Sequence, residues 1–333
     1  MKKILILRFS SIGDIVLTTP VIRALKQQVP EAEIHYATKP QFASVLAANP
    51  YVDKIHCLGP QLKDLVAALR QEKFDFIVDL HNNLRSRLIR QQLQVPGQGF
   101  DKLNRRKWRV VNLKWGRMPD LHIVDRYLGA ARRLGIENDG RGLDYFIPAE
   151  AEVPLSVLPE AFRQGYVAFA IGAQHATKRL PTDRIIALCE KINQPIILLG
   201  GKEDAAAGEQ ISDYFCHRVP NTQHRTTIYN GCGQFSLNQS ASLVKQSRFV
   251  FSHDTGLMHI AADFRKKVFS IWGNTIPEFG MYPYQTEYVV LERRGLPCRP
   301  CSKIGYLRCP QGHFKCMREI DFSQVPQLMQ AMQ

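Results

Sequence analysis

An acidic side chain, Asp14, lies where a buried apolar run ends and a helical segment starts, in the stretch RFSSIGDIVLTTP. Helix N-termini favour carboxylates, so one interpretation of Asp14 is a helix cap. The other interpretation is chemical, because a carboxylate at the mouth of a cleft can take a proton from a hydroxyl group as a general base. This stretch alone does not separate the two interpretations.

A hydroxyl and a lysine stand together in the second half of the chain. The stretch IGAQHATKRLPTDR follows a predicted strand, precedes a predicted helix and contains Thr177 and Lys178. A hydroxyl beside a compact positive charge suits a diphosphate at the mouth of a sheet. The alternative is an ordinary loop with a helix cap at Thr182.

A turn of a related kind follows another predicted strand, in FSHDTGLMHIAAD. Gly256 leaves space for a ligand near backbone amides, and these amides together with the helix dipole favour an anion. Asp254 and Thr255 stand beside this turn, and His259 lies on the first turn of the following helix. The alternative is structural, with Asp254 as the N-cap and His259 as a packed helix residue.

Two further strand–turn–helix junctions carry weaker signals. In LLGGKED, Glu203 either accepts hydrogen bonds from ribose hydroxyls or only starts a helix. In GCGQFSLNQ, Phe235 either stacks on a flat ring or closes the core, and Ser236 predicts a helix N-cap. No junction contains GxGxxG or a P-loop lysine, which argues against a nicotinamide enzyme and a kinase-like nucleotidase.

The junctions belong to an alternation of strands and helices that occurs twice along the chain. Short apolar runs followed by amphipathic segments predict an α/β protein with two doubly wound parallel sheets. We predict domains at residues 1–154 and 155–333 that face each other across a cleft, with the last helix able to pack back on the first domain. Ligands of such sheets bind beyond the carboxyl ends of the strands. GLDYFIPAEAEVP predicts a strand running into a linker, and the second half contains five predicted strands.

The charge of the chain favours phosphates as partners. The formal net charge is +14, with 24 Lys/Arg against 15 Asp/Glu in residues 1–150 and 20 against 15 in residues 151–333. Nucleic acid, anionic lipid and phosphorylated sugar all fit such a surface. No RRM, KH or helix-turn-helix signature is present, so we expect no nucleic-acid partner. No apolar run approaches the roughly 18 residues of a membrane span, and no signal cleavage site follows the first apolar run, so we expect a cytoplasmic protein.

The densest basic stretch is DKLNRRKWRVVNLKWGR, residues 101–117, which holds seven basic residues and two tryptophans. Arg105, Arg106 and Lys107 are candidates for contact with phosphates, and the tryptophans suit a membrane interface. The alternative is a solvated loop.

A smaller polar group follows the fourth predicted strand. Arg85, Arg87 and Arg90 extend the basic surface, and His81 and Asn82 are polar side chains at the same junction. All five lie at or just after the carboxyl end of that strand, where ligands of parallel sheets bind.

The chain contains eight cysteines, four of them clustered near the C-terminus. The scattered ones predict buried thiols; they are Cys57, Cys189, Cys216 and Cys232. The clustered ones form a CxxC followed by two further thiols; they are Cys298, Cys301, Cys309 and Cys316. Such a cluster suits a structural zinc ion, with reduced thiols or disulfides as the alternatives.

Four stretches together resemble the family 9 glycosyltransferases, the bacterial lipopolysaccharide heptosyltransferases: RFSSIGDIVLTTPVIRAL, ATKRLP, GCGQFSLNQ and SHDTGLMHIAADFRKKVFSIWGNT. The resemblance runs in order from the N-terminus to about Thr275, and more weakly through the tail. It implies a GT-B fold of two Rossmann-like domains, with the acceptor glycolipid on the first and a nucleotide-sugar, typically ADP-heptose, on the second. It also implies an inverting transfer that requires no metal ion or other cofactor.

The resemblance also implies roles for single residues. Asp14 corresponds to the catalytic carboxylate of the family, and Lys178, with Thr177 beside it, to the lysine that faces the donor phosphates. The donor diphosphate loop would contain Asp254, Thr255, Gly256 and His259, with Glu203 near the ribose and Phe235 near the base. The acceptor would contact Ser10, Ser11 and Gly13 in the Asp14 loop, together with His81, Asn82, Arg85, Arg105, Arg106 and Lys107. The ATKRLP loop is shorter than in the enterobacterial enzymes, which weakens the role of Thr177.

The expected function is transfer of a heptose or related sugar from ADP-heptose to a hydroxyl of the phosphorylated inner-core glycolipid. Asp14 would be the base, and Lys178 would stabilise the leaving diphosphate. We expect a monomer at the anionic inner face of the inner membrane. The alternatives are another nucleotide-sugar or acceptor within the family, and a non-catalytic protein that binds polyanions.

Overall fold

The computed structural model describes residues 2–217 and 226–332. Contacts divide the chain into two compact units. The first contains the residues up to Asn104 together with Asp120–Phe146, and the second contains Arg105–Pro119 together with the residues from Ile147 onward. Each unit is built on one parallel sheet, which confirms the predicted α/β class.

The first unit has a five-stranded sheet in the order β3-β2-β1-β4-β5, with every pair parallel. Its strands are β1 (Lys2–Leu7), β2 (Ala32–Thr38), β3 (Lys54–Cys57), β4 (Phe76–Asp79) and β5 (Gly97–Gly99). Because β1 pairs with β2 on one side and β4 on the other, the strand order reverses beside β1. Such a switch point leaves a crevice at the carboxyl ends of the two strands.

Amphipathic helices cover this sheet. They are α1 (Ile12–Val16), α2 (Thr19–Gln28), α3 (Leu62–Gln71), α4 (Leu84–Leu93) and α6 (Ile123–Gly129), while α5 (Asn104–Trp108) leads into the second unit. The core under α3 joins Leu5 and Leu7 of β1 to Leu65 and Leu69 of that helix, all buried. Burial of β1 on both faces explains its unbroken apolar run.

The second unit has a six-stranded parallel sheet in the order β11-β10-β9-β6-β7-β8. Its strands are β6 (Val167–Ala170), β7 (Ile196–Leu199), β8 (Ile228–Asn230), β9 (Phe249–His253), β10 (Lys267–Trp272) and β11 (Tyr288–Glu292). Its helices are α7 (Glu160–Arg163), α8 (Thr182–Ile192), α9 (Ala205–Cys216), α10 (Leu237–Gln246), α11 (Gly256–Asp263), α12 (Lys315–Arg318) and α13 (Val325–Ala331). Counted from β6, this is the doubly wound order 3-2-1-4-5-6, whose switch point lies between β6 and β9.

Three local predictions differ from the structure. β5 and β11 were absent from the predicted strands, because both are short or half-exposed edge strands with little apolar signal. The stretch GLDYFIPAEAEVP forms no strand, since Asp144 and the carbonyl of Gly142 bind the buried guanidinium of Arg23 instead of a strand partner. Helix α13 packs on α8, and its packing on the first domain stays a prediction.

Within the described residues, no helix combines the length and the hydrophobicity needed to cross a bilayer.

Candidate active site

Asp14 lies in the loop and short helix that follow β1, at the switch point of the first sheet. Its Oδ1 is 2.7 Å from Nη2 of Arg8, and its Oδ2 accepts hydrogen bonds from the backbone N–H and the hydroxyl of Ser11, at 3.2 and 2.9 Å. The hydroxyl of Tyr127 donates to Oδ1 at 3.4 Å. The side chain is 23% exposed. Asp14 therefore caps α1 and also presents a carboxylate that solvent reaches, so its two interpretations are compatible.

The surroundings of Asp14 keep it ionised. Burial raises the pKa of this carboxyl, but the Arg8 guanidinium and the Ser11 hydrogen bonds outweigh burial and leave the pKa below its ordinary value. The group is thus a carboxylate at neutral pH, the form that accepts a proton.

Arg8 is the functional candidate that sequence reasoning missed here. It is buried, and its Nε and Nη1 donate to the carbonyls of Ser10 and Leu80, each at 2.6 Å. Its guanidinium also lies 5.7 Å from the ring centroid of Tyr127. These contacts direct Nη2 at Asp14. The available signal was a basic residue directly after a buried strand, because burial of a charge is costly unless other groups pair with it.

We expect Arg8→Gln to move the acidic limb of the kcat/KM pH profile upward by about 1 pH unit or more, because the charge that lowers the pKa of Asp14 is gone. Rates measured from about pH 4 to about pH 8 check this expectation. Arg70→Gln is the matched control, since among the described residues Arg70 hydrogen-bonds to a carbonyl, that of Gln92. An unshifted limb in the Arg8 variant would show that Asp14 does not limit the rate at low pH.

Four of the predicted acceptor residues of the first unit lie in or beside the Asp14 loop. Ser11, Ser10 and Gly13 surround Asp14 in its loop. His81 lies beside this loop, and its ring centroid is 5.3 Å from that of Phe9, in an edge-to-face arrangement. Burial, together with Arg8, lowers the pKa of His81 to about 3, so it is a neutral hydrogen-bonding group.

Asn82 has a largely structural environment. Its side chain donates to the carbonyl of Phe100 at 2.8 Å. Its backbone N–H binds Oδ1 of Asp79, a fully buried carboxylate at the end of β4 that the sequence analysis did not single out. Arg85 is exposed on α4.

Arg105, Arg106 and Lys107 belong by their contacts to the second unit, although they precede most of it in the chain. Arg105 and Arg106 are exposed, and Lys107 Nζ lies 5.5 Å from the ring centroid of Phe279. Two aromatic side chains of the same stretch are more than half exposed; they are Trp108 and Trp115.

In the second unit, Lys178 and Asp254 meet at the switch point. They follow β6 and β9, which are neighbours in the sheet, and Lys178 Nζ is 2.5 Å from Asp254 Oδ2. Thr275, after β10, donates to the same carboxylate at 3.4 Å. Both charged side chains are mostly buried, at 17% and 10% exposure. Three separate strand ends thus converge on one polar cluster.

The N-terminus of α11 lies beside this cluster. Thr255 is its N-cap residue, but the hydroxyl contacts Ser252 Oγ at 3.1 Å and does not cap the helix. The amides around Gly256 therefore lack a side-chain cap, which suits a bound anion. His259 is buried within the same helix.

The remaining predicted donor residues have different environments. Thr177 is buried, and its hydroxyl exchanges hydrogen bonds with the backbone of Tyr306 at 2.8 and 3.2 Å, so it holds the tail against the Lys178 loop. Glu203 is exposed after β7. Phe235 is half-buried after β8 and packs near Tyr229, with ring centroids 6.3 Å apart.

Asn274 is a further candidate; it lies in the fourth stretch of the family resemblance, but no role was predicted for it. It is 1% exposed after β10, and neither its amide nitrogen nor its oxygen has a hydrogen-bond partner among the described residues. A buried amide without partners costs stability unless a ligand or water satisfies it. Its neighbour Thr275 contacts Asp254, which places Asn274 near the Lys178 cluster.

His253 fixes the Lys178 loop against β9. It is fully buried, and its Nε2 accepts a hydrogen bond from the backbone N–H of Leu180 at 3.0 Å. Burial lowers the pKa of His253 to about 4. The unfolded chain therefore binds a proton between about pH 6.5 and about pH 4 that the folded chain does not bind, and stability falls as the pH falls through this window.

We expect His253 alone to lower the free energy of unfolding by about 2 kcal/mol between about pH 7 and about pH 5. In His253→Gln, which keeps an acceptor but does not titrate, the pH dependence should be flatter by that amount. Urea titrations at both pH values measure the difference. Identical pH dependence in the two proteins would contradict the expectation.

The cysteine predictions are partly wrong. Cys189 and Cys232 are buried as predicted, whereas Cys57 and Cys216 are exposed because they end their strand and helix at the surface. All four tail thiols are free. Cys298 Sγ lies 3.8 Å from Nε2 of His313. The zinc assignment for the tail stays a prediction.

Known proteins resemble this chain over most of its length. The profile of glycosyltransferase family 9 (heptosyltransferase) matches residues 62–308. Lipopolysaccharide heptosyltransferase 2 of Escherichia coli K12 is 22% identical over 306 residues, covering 83% of this chain and 84% of that protein. Lipooligosaccharide heptosyltransferase 2 of Haemophilus ducreyi is 25% identical over 302 residues, covering 83% and 85%.

Solved structures agree with the family match. The structure of E. coli ADP-heptose LPS heptosyltransferase II has a TM-score of 0.71 at 20% identity, covering 100% of this chain and 98% of that one. E. coli heptosyltransferase WaaC with ADP-2-deoxy-2-fluoro heptose has a TM-score of 0.67 at 20% identity, covering 99% and 100%. These likenesses confirm the predicted GT-B fold class. The family profile covers well over half of the chain, and the chain therefore belongs to glycosyltransferase family 9, the heptosyltransferases, and is a glycosyltransferase.

Proposed function

We propose that this enzyme transfers a heptose from ADP-heptose to a hydroxyl of the lipopolysaccharide inner core, with inversion at the anomeric carbon. The observation that carries the proposal is the Lys178–Asp254 pair beside the uncapped N-terminus of α11, at the switch point of the second sheet. Relatives named as lipopolysaccharide heptosyltransferases support the donor and the acceptor.

In the proposed reaction the acceptor oxygen attacks the anomeric carbon as the bond from that carbon to the diphosphate oxygen breaks. Asp14 takes the proton of the acceptor hydroxyl, and its ionised state in the Arg8 contact supports this role. The diphosphate leaves with the bonding electron pair. Lys178 and the α11 amides stabilise that negative charge, so the proposed chemistry assigns no step to a metal ion.

Two measurements test the donor assignment. ADP should raise the melting temperature of the protein more than UDP or GDP does, because one base is preferred in the donor site. Labelled heptose should then pass from ADP-heptose to truncated core acceptors. Equal stabilisation by the three nucleotides, together with no transfer, would reject the proposal, whereas transfer from another nucleotide-sugar would change only the donor.

We also propose that the basic stretch 101–117 holds the enzyme at an anionic membrane surface. Its exposed arginines and its two half-exposed tryptophans, Trp108 and Trp115, are suited to phosphates and to a bilayer interface. Each basic residue near such a surface contributes about 1 kcal/mol. A cytoplasmic location, a monomeric state and the absence of a nucleic-acid partner stay predictions.

Replacing Arg105 and Arg106 by Glu should weaken binding to vesicles with anionic lipid at least about tenfold, because two positive charges become negative. Co-sedimentation with anionic and neutral vesicles measures the effect, and Arg132→Glu/Arg133→Glu in the first unit is the matched control. Equal binding to both vesicle types would remove the membrane proposal. Tight binding to any polyanion, without transferase activity, would favour the non-catalytic alternative.

A further inference from the structure

Two histidines and a carboxylate converge in the first unit, away from the Asp14 loop. His35 lies on β2, His56 on the neighbouring strand β3, and Glu72 directly after α3. One donor atom of each lies within 4.8 Å of the other two. Among the residues that the structure describes, this is the one group of three or more metal-ligating side chains with such spacing. The four tail thiols do not form such a group.

The distances in the cluster are near those of a metal site. His35 Nδ1 is 2.9 Å from His56 Nε2, and the Glu72 oxygens are 4.0 and 3.9 Å from these two nitrogens. Ligands at about 2.1 Å from a tetrahedral zinc ion lie roughly 3.4 Å from each other. Small movements of the three side chains therefore make room for an ion.

The second contact of His35 fits the same chemistry. Its Nε2 is 2.7 Å from Oε1 of Glu33, and a histidine bound to a metal commonly donates its other ring N–H to a carboxylate in this way. With a proton on Nε2, the lone pair of Nδ1 accepts a hydrogen bond from His56 Nε2, and a metal ion would take the place of that shared proton. His56 is buried beside His35, with its Nε2 directed at His35 Nδ1, so the second ring nitrogen faces the same point.

Two lysines form ion pairs with the carboxylate of Glu72. Lys3 Nζ is 3.2 Å from Glu72 Oε2, and Lys54 Nζ contacts Glu72 Oε1. Their side chains are 24% and 56% exposed, so both ammonium groups can turn to water when a cation takes their place. Metal binding would thus replace the two lysine contacts of Glu72 by a contact with one divalent ion.

We propose that His35, His56 and Glu72 form a structural site for a divalent transition metal of the zinc class, with Glu33 orienting His35. The site clamps β2, β3 and the end of α3 to one another. Glu72 lies four residues before β4, Lys3 is the second residue of β1, and His35 is at the middle of β2, so the carboxylate of the cluster lies toward the amino ends of the strands. The candidate catalytic residues follow the carboxyl ends, and the role of the ion is therefore in stability.

The test uses the full chain, washed with chelator and titrated with zinc and with cobalt(II). We expect one equivalent to bind at this site, with an increase in melting temperature and a cobalt spectrum without the near-ultraviolet thiolate band that the tail cysteines would produce. Glu72→Gln, which keeps its size, should weaken this equivalent at least about tenfold. His56→Ala should abolish it.

The control is His313→Ala, which removes the histidine near Cys298 in the tail. This variant should keep the thiolate-free equivalent. The proposal would be overturned if the wild type bound no equivalent of cobalt without the thiolate band. It would also be overturned if Glu72→Gln bound this equivalent with the affinity of the wild type. Glu72→Gln remains informative if His56→Ala fails to fold, and neither outcome depends on the proposed transferase function.

Discussion

Asp14→Asn should lower kcat about 10²–10⁴-fold and leave the affinity for the donor nearly unchanged. An amide matches the shape of the carboxylate but cannot accept the proton of the acceptor hydroxyl, and general-base catalysis contributes a factor of this size. The donor contacts proposed above come from the second unit, so binding of ADP should survive the change. Single-turnover rates and a separate titration with ADP measure the two quantities.

The main alternative to this result is the helix-cap interpretation, since Asp14 also binds Ser11. Loss of a cap costs about 1 kcal/mol of stability and does not specifically slow the chemical step. The unfolding free energy of the variant is therefore measured alongside kcat. Asp64→Asn, an exposed carboxylate in the first turn of α3, is the matched control. Normal turnover in Asp14→Asn would leave the cap as the only role of this residue.

Lys178→Ala should weaken donor binding and lower kcat by about 10²–10³-fold, the usual cost of removing one group that stabilises developing negative charge. Both parameters should fall together, because the diphosphate is present in the ground state and gains charge as it leaves. Steady-state kinetics with varied donor, and calorimetry with ADP, measure the effect. This joint loss distinguishes Lys178 from Asp14, for which only turnover should change.

Removing Lys178 also leaves Asp254 mostly buried without its cation, which can destabilise the loop. The double variant Lys178→Ala/Asp254→Asn removes the unpaired charge and should recover stability while remaining inactive. Lys245→Ala, at an exposed lysine that pairs with Glu152, controls for loss of a lysine in the same unit. If the double variant regained activity, the effect of the single change would be structural rather than chemical.

The fold class and most junctions of the candidate site can be predicted from local sequence patterns. Continuous apolar runs such as β1 and β9 predict buried parallel strands, because both faces of such strands are covered. Polar residues directly after those runs predict groups at the carboxyl edge of a sheet, and Asp14, Lys178 and Asp254 all lie there. Local chemistry is enough for these statements, since each depends only on neighbours in the chain.

Which of those groups contact one another depends on the tertiary structure. The contact between Lys178 and Asp254 spans 76 positions and exists because β6 pairs on one side with β9, three strands further along the chain. Sequence likewise predicted a donor role for Thr177, whereas the fold gives its hydroxyl to the backbone of Tyr306. No role was predicted for Arg8 or for the His35–His56–Glu72 cluster, because most of their partners come from separate strands and helices. The spacing of residues along the chain predicts local geometry. Burial, the pairing of strands and the pKa values of site residues depend instead on which distant side chains the sheet order brings into contact.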